Sequence, residues 1–250
     1  LETHIGRRAN NEDSACSEPT IGLYAVADGM GGYEGGEVAA EIAIDSLRGF
    51  VRNNKSDRDC TWPYKLSMEH SLEENLMLTA ARIAHEQIEV RRVGELAEMG
   101  STIVAMLVHG NQAVLVHVGD SRIYRLRSGT LEQLTRDHSL YEELREITPN
   151  LPSREDYPYG NVITRALGLR GQADASTVTI AAGDVFILCS DGLSDVLSDE
   201  SIREVTTSTS DVDELSRTLV AMAYEAGGRD NITVLALRCE HSSLSAARAS

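Results

Sequence analysis

The chain has 250 residues, of which 42% are hydrophobic, so it is long enough to bury the core of one domain. Its formal net charge of −16 argues against a nucleic-acid partner, because phosphate backbones bind basic surfaces. The four cysteines show no CxxC spacing, and none is followed six positions later by arginine, as a thiolate phosphatase would need. Buried thiols in a reducing cytoplasm are therefore expected. No apolar run reaches membrane-spanning length, and no signal-peptide pattern opens the chain.

The first half of the chain predicts two long helices set between strands. An edge strand is expected over Leu1–Ile5 and a buried strand over Ile21–Ala27. Amphipathic spacing predicts helices over Glu37–Phe50 and Leu66–Val93. Gly100–Thr102 is interpreted as a turn without a catalytic serine. Further strands are predicted over Thr102–Val108, Ala113–Val118, Arg122–Arg127 and Leu131–Leu134.

The second half predicts strands followed by a helix pair. Asp137–Glu146 is predicted as a short helix that Asp137 caps, and the proline-rich segment Ile147–Gly160 as an exposed loop. The tail His241–Ser250 is expected to be flexible. Because strands and helices do not alternate regularly, two antiparallel sheets with helix pairs outside are favoured over a parallel sheet. The remaining strands are predicted over Ala175–Ile180, Val185–Cys189 and Ile232–Leu237, with helices over Asp199–Thr206 and Asp211–Glu225.

Aspartates stand at the ends of four predicted strands. Asp28, Asp120 and Asp191 each follow an apolar run, and Asp230 precedes the last one. If that last strand is antiparallel to its neighbours, the four carboxylates converge at one rim. Carboxylates packed so closely repel one another unless a cation lies between them, and oxygen-only ligands select Mg²⁺ or Mn²⁺. Taken alone, Val26–Ala40 fits a purely structural strand–turn–helix junction equally well.

The chain contains eight short motifs that resemble those of a known protein family. In their order along the chain, from about Leu1 to Cys239, they resemble the motifs of bacterial PP2C-type (PPM) metal-dependent serine/threonine protein phosphatases. Each motif is weak alone, and the set in register is specific. The motifs are Arg8–Ser14, Val26–Gly32, Gly100–Thr102, Val118–Tyr124, Leu134–Ser139, Ile163–Gly168, Ser190–Asp195 and Gly228–Thr233.

The resemblance implies a fold, a domain layout and a set of metal ligands. The fold would be an α+β, four-layer α-β-β-α sandwich over residues 1–240, with a flap at about 147–160 and a flexible tail over 241–250. The resemblance implies two Mn²⁺ or Mg²⁺ ions in the core and room for a third. By the resemblance, Asp28 would bridge both core ions, Asp191 and Asp230 would bind one of them, and Glu12 and the Gly29 carbonyl would bind the other. Asp13 would act through a bound water, and Asp120 with Asp191 would bind the third ion.

The implied reaction is phosphoserine or phosphothreonine hydrolysis by direct attack of a metal-bridging water or hydroxide. Asp28 and Asp191 would hold the catalytic ions. Arg8, four residues before Glu12, is expected to bind two phosphate oxygens in a bidentate manner. Arg7 is the alternative residue for this role. Where many eukaryotic relatives carry a histidine proposed as general acid, this chain has Met30, which leaves the proton donor open. His138 is interpreted as structural.

The leading hypothesis is a cytoplasmic, monomeric phosphatase that acts on phosphorylated proteins and opposes a bacterial Ser/Thr kinase in signal transduction. The alternatives are a catalytically inactive relative that binds phosphoproteins, and a two-metal hydrolase of small esters or nucleic acid. The flap is expected to contact substrate. Glu34 and Glu37 are interpreted as helix-start residues, and Asp195 as support for the metal ligands with helix capping as the alternative.

Overall fold

The computed structural model describes residues 1–32, 35–56, 61–148, 150–154 and 156–240, and they form eleven strands and six α-helices. The helices are α1 (Gly35–Ser56), α2 (Leu72–Arg91), α3 (Leu140–Ile147), α4 (Asp191–Ser194), α5 (Asp199–Ser208) and α6 (Val212–Glu225). The strands are β1 (Glu2–His4), β2 (Asp13–Glu18), β3 (Leu23–Met30), β4 (Gly100–Ser101), β5 (Ile103–His109), β6 (Gln112–Val118), β7 (Arg122–Arg127), β8 (Thr130–Gln133), β9 (Asp174–Thr179), β10 (Val185–Cys189) and β11 (Ile232–Arg238).

Two antiparallel sheets form the centre of the molecule. One has the strand order β1-β11-β10-β7-β8, and the other has the order β2-β3-β5-β6-β9, with β4 paired to β3. Alternate residues of each central strand face opposite sides of its sheet, and both sides are buried. In β10, for example, Phe186 and Leu188 face the other sheet, while Val185 and Ile187 face the helices.

Three hydrophobic clusters correspond to the three interfaces between four layers. Helices α1 and α2 pack on one sheet, in a cluster that includes Leu47 of α1 and Leu23 and Ile103 of the sheet. Helices α5 and α6 pack on the other sheet, through Leu219 and its neighbours. Between the sheets lies the third cluster, which includes Phe186. The predicted α-β-β-α sandwich is therefore confirmed. No helix in the described ranges combines the length and apolarity needed to cross a bilayer.

Several predicted boundaries were wrong for identifiable reasons. The strand β2 was missed because its sequence is polar, and it lies at a sheet edge where only Cys16 is buried. Helix α2 begins after Ser71, whose hydroxyl accepts the Glu74 N–H while the Glu74 carboxylate accepts the Ser71 N–H. This capping box starts the helix six residues later than apolar spacing suggested. The predicted flexible tail, 241–250, lies outside the described residues.

Candidate metal centre and active site

The aspartates at the four strand ends meet at one rim of the sandwich, as the antiparallel arrangement of β11 requires. β3 and β6 reach this rim from one sheet, and β10 and β11 reach it from the other. The carboxyl of Asp28 lies within hydrogen-bond reach of that of Asp191. We divide the surrounding carboxylates into a central cluster (Glu12, Asp13, Asp28, Asp191, Asp230) and a flanking cluster (Asp120, Asp137, Asp195).

The backbone of Asp28 is fixed by Ser101 and Thr102. Its N–H donates to the Thr102 hydroxyl at 3.0 Å, and its carbonyl accepts the Thr102 N–H at 2.8 Å and the Ser101 hydroxyl at 3.1 Å. Strand β4 pairs with Gly29 and Met30, so β3 continues two residues beyond Asp28. Interpreting Gly100–Thr102 as a turn was therefore wrong, since its first two residues form β4 and Thr102 holds the backbone of Asp28.

Two glycines allow Glu12 to approach β3. A Cβ on Gly29 would overlap the Gly36 carbonyl, and a Cβ on Gly36 would overlap the Glu12 carboxylate. The Gly29 N–H donates to the Glu12 carbonyl at 3.1 Å, and the Gly36 N–H donates to the Glu12 carboxylate. Gly36 lies in the first turn of α1, where the helix dipole favours negative charge. Glycine is required at both positions by close backbone approach.

Asn231 joins the N-terminal loop to the start of β11. Its amide donates to the carbonyls of Ile5 at 2.8 Å and Asn10 at 2.9 Å, and its Oδ1 accepts the Glu12 N–H at 2.8 Å. The beginning of α4 also packs here, because Gly192 lies directly against the Asn231 carbonyl. Asn231 thus joins the segments that carry Glu12, Asp191 and Asp230, through its side chain on one side and its backbone carbonyl on the other.

Burial and mutual repulsion raise the pKa values of the three deeper carboxyls of the central cluster, Asp13, Asp28 and Asp191. The pKa of Asp28 lies well above its usual range, mainly because the group is buried and secondly because Asp191 is negatively charged. The pKa of Asp191 is also well above its usual range, because of burial and then the charge of Asp120. Burial raises the pKa of Asp13 to about 6, although the Ser190 hydroxyl donates to its Oδ2 at 2.8 Å. Ionising Asp13, Asp28 and Asp191 together is therefore unfavourable, and a bound cation would offset that cost.

The available donor atoms fit a hard divalent cation. In the described part of the chain, the buried Oδ1 atoms of Asp13, Asp120 and Asp191 have no hydrogen-bond partner. Buried carboxylate oxygens without partners are unfavourable unless positive charge compensates them. Because the convergent ligands are all oxygens, Mg²⁺ or Mn²⁺ matches this set better than zinc does.

The flanking cluster contains a buried ion pair between Arg122 and Asp137. The Arg122 guanidinium donates through Nε and Nη2 at 3.0 and 2.7 Å, and Gln133 adds a bond to Asp137 at 2.9 Å. The prediction that Asp137 caps the next helix was wrong. Ser139 does so, since its hydroxyl accepts the Glu142 N–H at 3.3 Å. The Asp137 carboxylate instead fixes the arginine that follows the Asp120 turn.

The other members of the flanking cluster face Arg154. The Arg154 guanidinium lies 3.0 Å from Asp195 Oδ1, 3.4 Å from Asp137 Oδ2 and 3.9 Å from Asp120 Oδ2. Asp195 follows α4, and Ser198 rather than Asp195 caps α5. The charge of Asp195 also raises the pKa of Asp191, after burial and Asp120. Asp195 therefore lies beside the central cluster, as expected for a supporting residue.

An open cavity of about 790 Å³ lies over the central cluster, lined by Asp191 and Asp230. Arg8 is at its edge, where Nη2 donates to Asp230 Oδ2 at 2.5 Å and Nε donates to the Arg229 carbonyl at 3.0 Å. Among the two competing arginines, Arg8 is the one that lines this cavity. The loop after α3 contributes Tyr157, Pro158 and Gly160 to the wall. The loop is mostly exposed, as expected, and one side of it faces the site.

The other singled-out residues lie around this centre. The Nδ1 of His138 accepts the Gly119 N–H at 3.2 Å, and its ring stacks on His117 at 4.5 Å, an arrangement consistent with a structural role. Met30 lines a different cavity, together with Arg165. Glu37 lies in the first turn of α1, where a helix-start residue belongs. The prediction for Glu34 falls on a position outside the described residues.

Three residues that organise the site were not singled out from the sequence. Thr102 and Asn231 stand inside the quoted motifs, next to residues that were singled out, and this adjacency was the available signal. Arg154 lies in a segment without periodicity or motif. Its contacts with Asp120, Asp137 and Asp195 depend on tertiary structure, so sequence spacing offered no indication of them.

A four-layer sandwich with an all-oxygen carboxylate centre defines a class of divalent-cation-binding domains, and comparison with known proteins specifies it further. The family model described as Protein phosphatase 2C matches residues 2–227. The chain therefore belongs to the protein phosphatase 2C family, which the sequence motifs indicated.

The chain is similar in sequence to bacterial proteins of this family. The chain is 37% identical over 234 residues to the serine/threonine protein phosphatase PstP of Mycobacterium tuberculosis, which covers 91% of the chain and 42% of PstP. The chain thus spans less than half the length of that relative. It is 34% identical over 247 residues to the protein phosphatase PhpP of Streptococcus pneumoniae, covering 94% of each.

Solved structures of relatives have the same fold. The M. tuberculosis PstP structure superposes with a TM-score of 0.83 at 36% identity, covering 96% of this chain and 97% of that one. A structure of the PstP catalytic domain in complex with two manganese ions gives a TM-score of 0.80 at 35% identity, covering 96% of both chains. That complex concerns PstP, and its metal content matches the chemistry that the carboxylate donors of the present chain favour.

Proposed function

We propose that this protein is a Mn²⁺- or Mg²⁺-dependent protein serine/threonine phosphatase that hydrolyses phosphoserine and phosphothreonine in phosphorylated proteins. The observation that carries this proposal is the convergence of the central carboxylates, in which buried oxygens of Asp13 and Asp191 have no partner in the described ranges, beneath a cavity that has an arginine at its edge. Such a cluster is unfavourable without cations, and the adjoining arginine suits a phosphate. Membership of the phosphatase family supports the same assignment.

The proposal assigns a role to each residue of the central cluster. Asp28, Asp191 and Asp230, with Glu12 and the Gly29 carbonyl, would hold two ions, and Asp13 would orient a water beside them. Asp120 with Asp191 would offer a third position. When bound, the ions supply charge neutralisation and a water of lowered pKa as nucleophile. Ser101, Thr102 and Asn231 fix the backbone of the ligands, so that the donors are held in place before substrate binds.

Arg8 would bind the phosphate of the substrate. Its Nη2 is bonded to Asp230, and this bond orients the guanidinium at the cavity edge, where it can present its remaining donor face to phosphate oxygens. The wall formed by Tyr157, Pro158 and Gly160 adjoins the same cavity, so residues flanking the phosphorylated side chain would contact it. This geometry supports the expected role of the loop at 147–160 as a substrate-contacting flap.

The cellular setting completes the proposal. We infer that residues 1–240 act as one phosphatase domain, that the protein is a cytoplasmic monomer, and that its substrates are produced by a bacterial Ser/Thr kinase. The pKa of the buried Cys16 thiol is raised by burial to about 11, so this thiol stays unreactive, in keeping with a reducing compartment.

The deciding experiment measures phosphate release from a phosphothreonine peptide, with and without Mn²⁺, for wild type and Asp191→Ala. We expect Mn²⁺-dependent turnover in wild type and a loss of at least about a hundredfold in the variant, because Asp191 serves the ions. No turnover by folded, Mn²⁺-loaded wild type would contradict the proposal and favour a phosphoprotein-binding relative. Faster turnover of nucleotides than of phosphopeptides would instead indicate a small-ester hydrolase.

A further inference from the structure

Arg154 extends from the loop after α3 into the flanking cluster. Its side chain is 19% exposed, and the carboxylates around it are more buried, with side-chain exposures of 2% for Asp120 and 3% for Asp137. It is a salt-bridge partner of all three flanking carboxylates, with Asp195 the nearest at 3.0 Å. A guanidinium therefore occupies the space where these carboxylates converge.

The carboxylates around Arg154 exceed the arginines that balance them. Arg122 is committed to Asp137 through a bidentate contact. Arg154 must then serve Asp195 and Asp120, and Asp191 adds a further negative charge, since Asp120 and Asp191 interact. At Asp120 the compensation is incomplete, because Arg154 is 3.9 Å from Oδ2 and the buried Oδ1 has no partner in the described ranges.

The same arginine also holds its loop together. The Arg154 Nε donates to the Gly160 carbonyl at 3.3 Å, and a Cβ on Gly160 would overlap the Arg154 carbonyl. Tyr157 and Pro158, between these two residues, line the wall of the cavity. Arg154 therefore contacts both the loop that forms the cavity wall and the Asp120 carboxylate, so a movement of this side chain would affect both.

We propose that the Arg154 guanidinium acts as the resident cation beside Asp120, so that a third divalent ion binds Asp120 and Asp191 only when Arg154 withdraws. The inference rests on the proposed assignment of Asp120 as a metal ligand. At Asp120, whose side chain is only 2% exposed, a divalent ion and a guanidinium repel each other with little screening, whereas water screens the pair that Arg8 forms with the 38% exposed Asp230. Occupancy of the third position and seating of the loop at 150–154 are thus mutually exclusive.

The test is Mn²⁺ binding to metal-free protein, measured by isothermal titration calorimetry with equilibrium dialysis to count bound ions. Wild type is compared with Arg154→Ala and with Arg145→Ala, a matched control whose arginine pairs with Glu142 on the surface of α3. A fourth variant, Arg154→Ala with Asp120→Asn, removes the proposed ligand as well. Circular dichroism confirms that each variant is folded.

We expect two tight sites in wild type and both single variants, and a third site at least about tenfold tighter in Arg154→Ala than in wild type. Arg145→Ala should match wild type, and the double variant should lose the third site. Equal third-site affinity in wild type and Arg154→Ala would overturn this inference and leave the ligand role of Asp120 intact. Absence of a third site in Arg154→Ala would overturn both, and absence of the two tight sites would contradict the proposed metal centre itself.

Discussion

Two groups of carboxylates lie side by side at the rim of the sandwich and differ in how their charge is balanced. In the flanking cluster, Arg122 and Arg154 come from the chain itself and pair with the aspartates. In the central cluster, the ion pair within the described residues is that of Arg8 with Asp230, at the exposed side. The deeper carboxyls of Asp28 and Asp191 interact mainly with other carboxyls, Asp28 with Asp191 and Asp191 with Asp120.

This difference separates a structural use of buried charge from a functional one. A buried aspartate that is bound by a fixed guanidinium holds the fold in place, and its removal leaves an uncompensated cation. A buried aspartate without such a partner destabilises the fold, and that penalty is reversed when an ion from solution binds. The two clusters should therefore respond in opposite directions to neutralising substitutions.

The largest effect is expected for Asp137→Asn in the flanking cluster. Arg122 would keep a buried charge without its bidentate partner, so unfolding free energy should fall by roughly 3–5 kcal/mol. The measurement is urea denaturation of metal-free protein. Glu200→Gln, which breaks an exposed pair with Arg203, is the matched control and should leave the midpoint unchanged. An unchanged midpoint in Asp137→Asn would show that Asp195 or solvent compensates Arg122.

A smaller effect of opposite sign is expected for Asp28→Asn in the central cluster. Removing a carboxylate whose pKa is raised by burial and by Asp191 relieves repulsion, so metal-free protein should become more stable. A gain of about 1 kcal/mol would raise Tm by about 2–4 °C in a chain of this size. The same variant should lose most of the Tm increase that Mn²⁺ gives to wild type. Destabilisation of metal-free Asp28→Asn would contradict the comparison of the two clusters.

The sequence was most informative where a functional residue lies at the junction between a strand and a turn. An apolar run followed by aspartate and glycine marks a strand end, and this marked Asp28 and Asp191 without tertiary information. The four-layer fold followed from the order of strands and helices. Family resemblance was needed to find Glu12, because its approach to Asp28 depends on the close packing at Gly29 and Gly36.

The parts that could not be predicted depend on long-range contacts. Asp137 precedes a helix, so a capping role was the local expectation, whereas its partner Arg122 lies fifteen positions earlier on β7. Strand β4 has two residues, too few to show periodicity. Arg154 reaches Asp195 across forty-one positions. In each case the interaction joins segments that the sheets bring close together. The spacing of residues along the chain does not indicate that proximity.

The last prediction concerns the protons that Asp13 and Asp120 bind in the absence of metal. Burial raises the pKa of Asp13 to about 6 and, with the charge of Asp137, that of Asp120 to about 7, from an ordinary value of 3.8. Because these pKa values are higher in the folded state, metal-free protein loses stability as pH rises from about 4 to 7. Ions must displace these protons, so Mn²⁺ binding should release about one more proton at pH 6 than at pH 8.

Calorimetry in two buffers of different ionisation enthalpy at each pH measures that release directly. Asp120→Asn should reduce the difference between pH 6 and pH 8, since it removes the group with a pKa of about 7. The Tm increase produced by saturating Mn²⁺ should also grow over the same interval, as the repulsion that the ions relieve becomes larger. Proton release that does not vary between the two pH values would mean that these carboxyls are already ionised in metal-free protein. The central cluster would then be balanced from within the fold, as Asp137 is by Arg122.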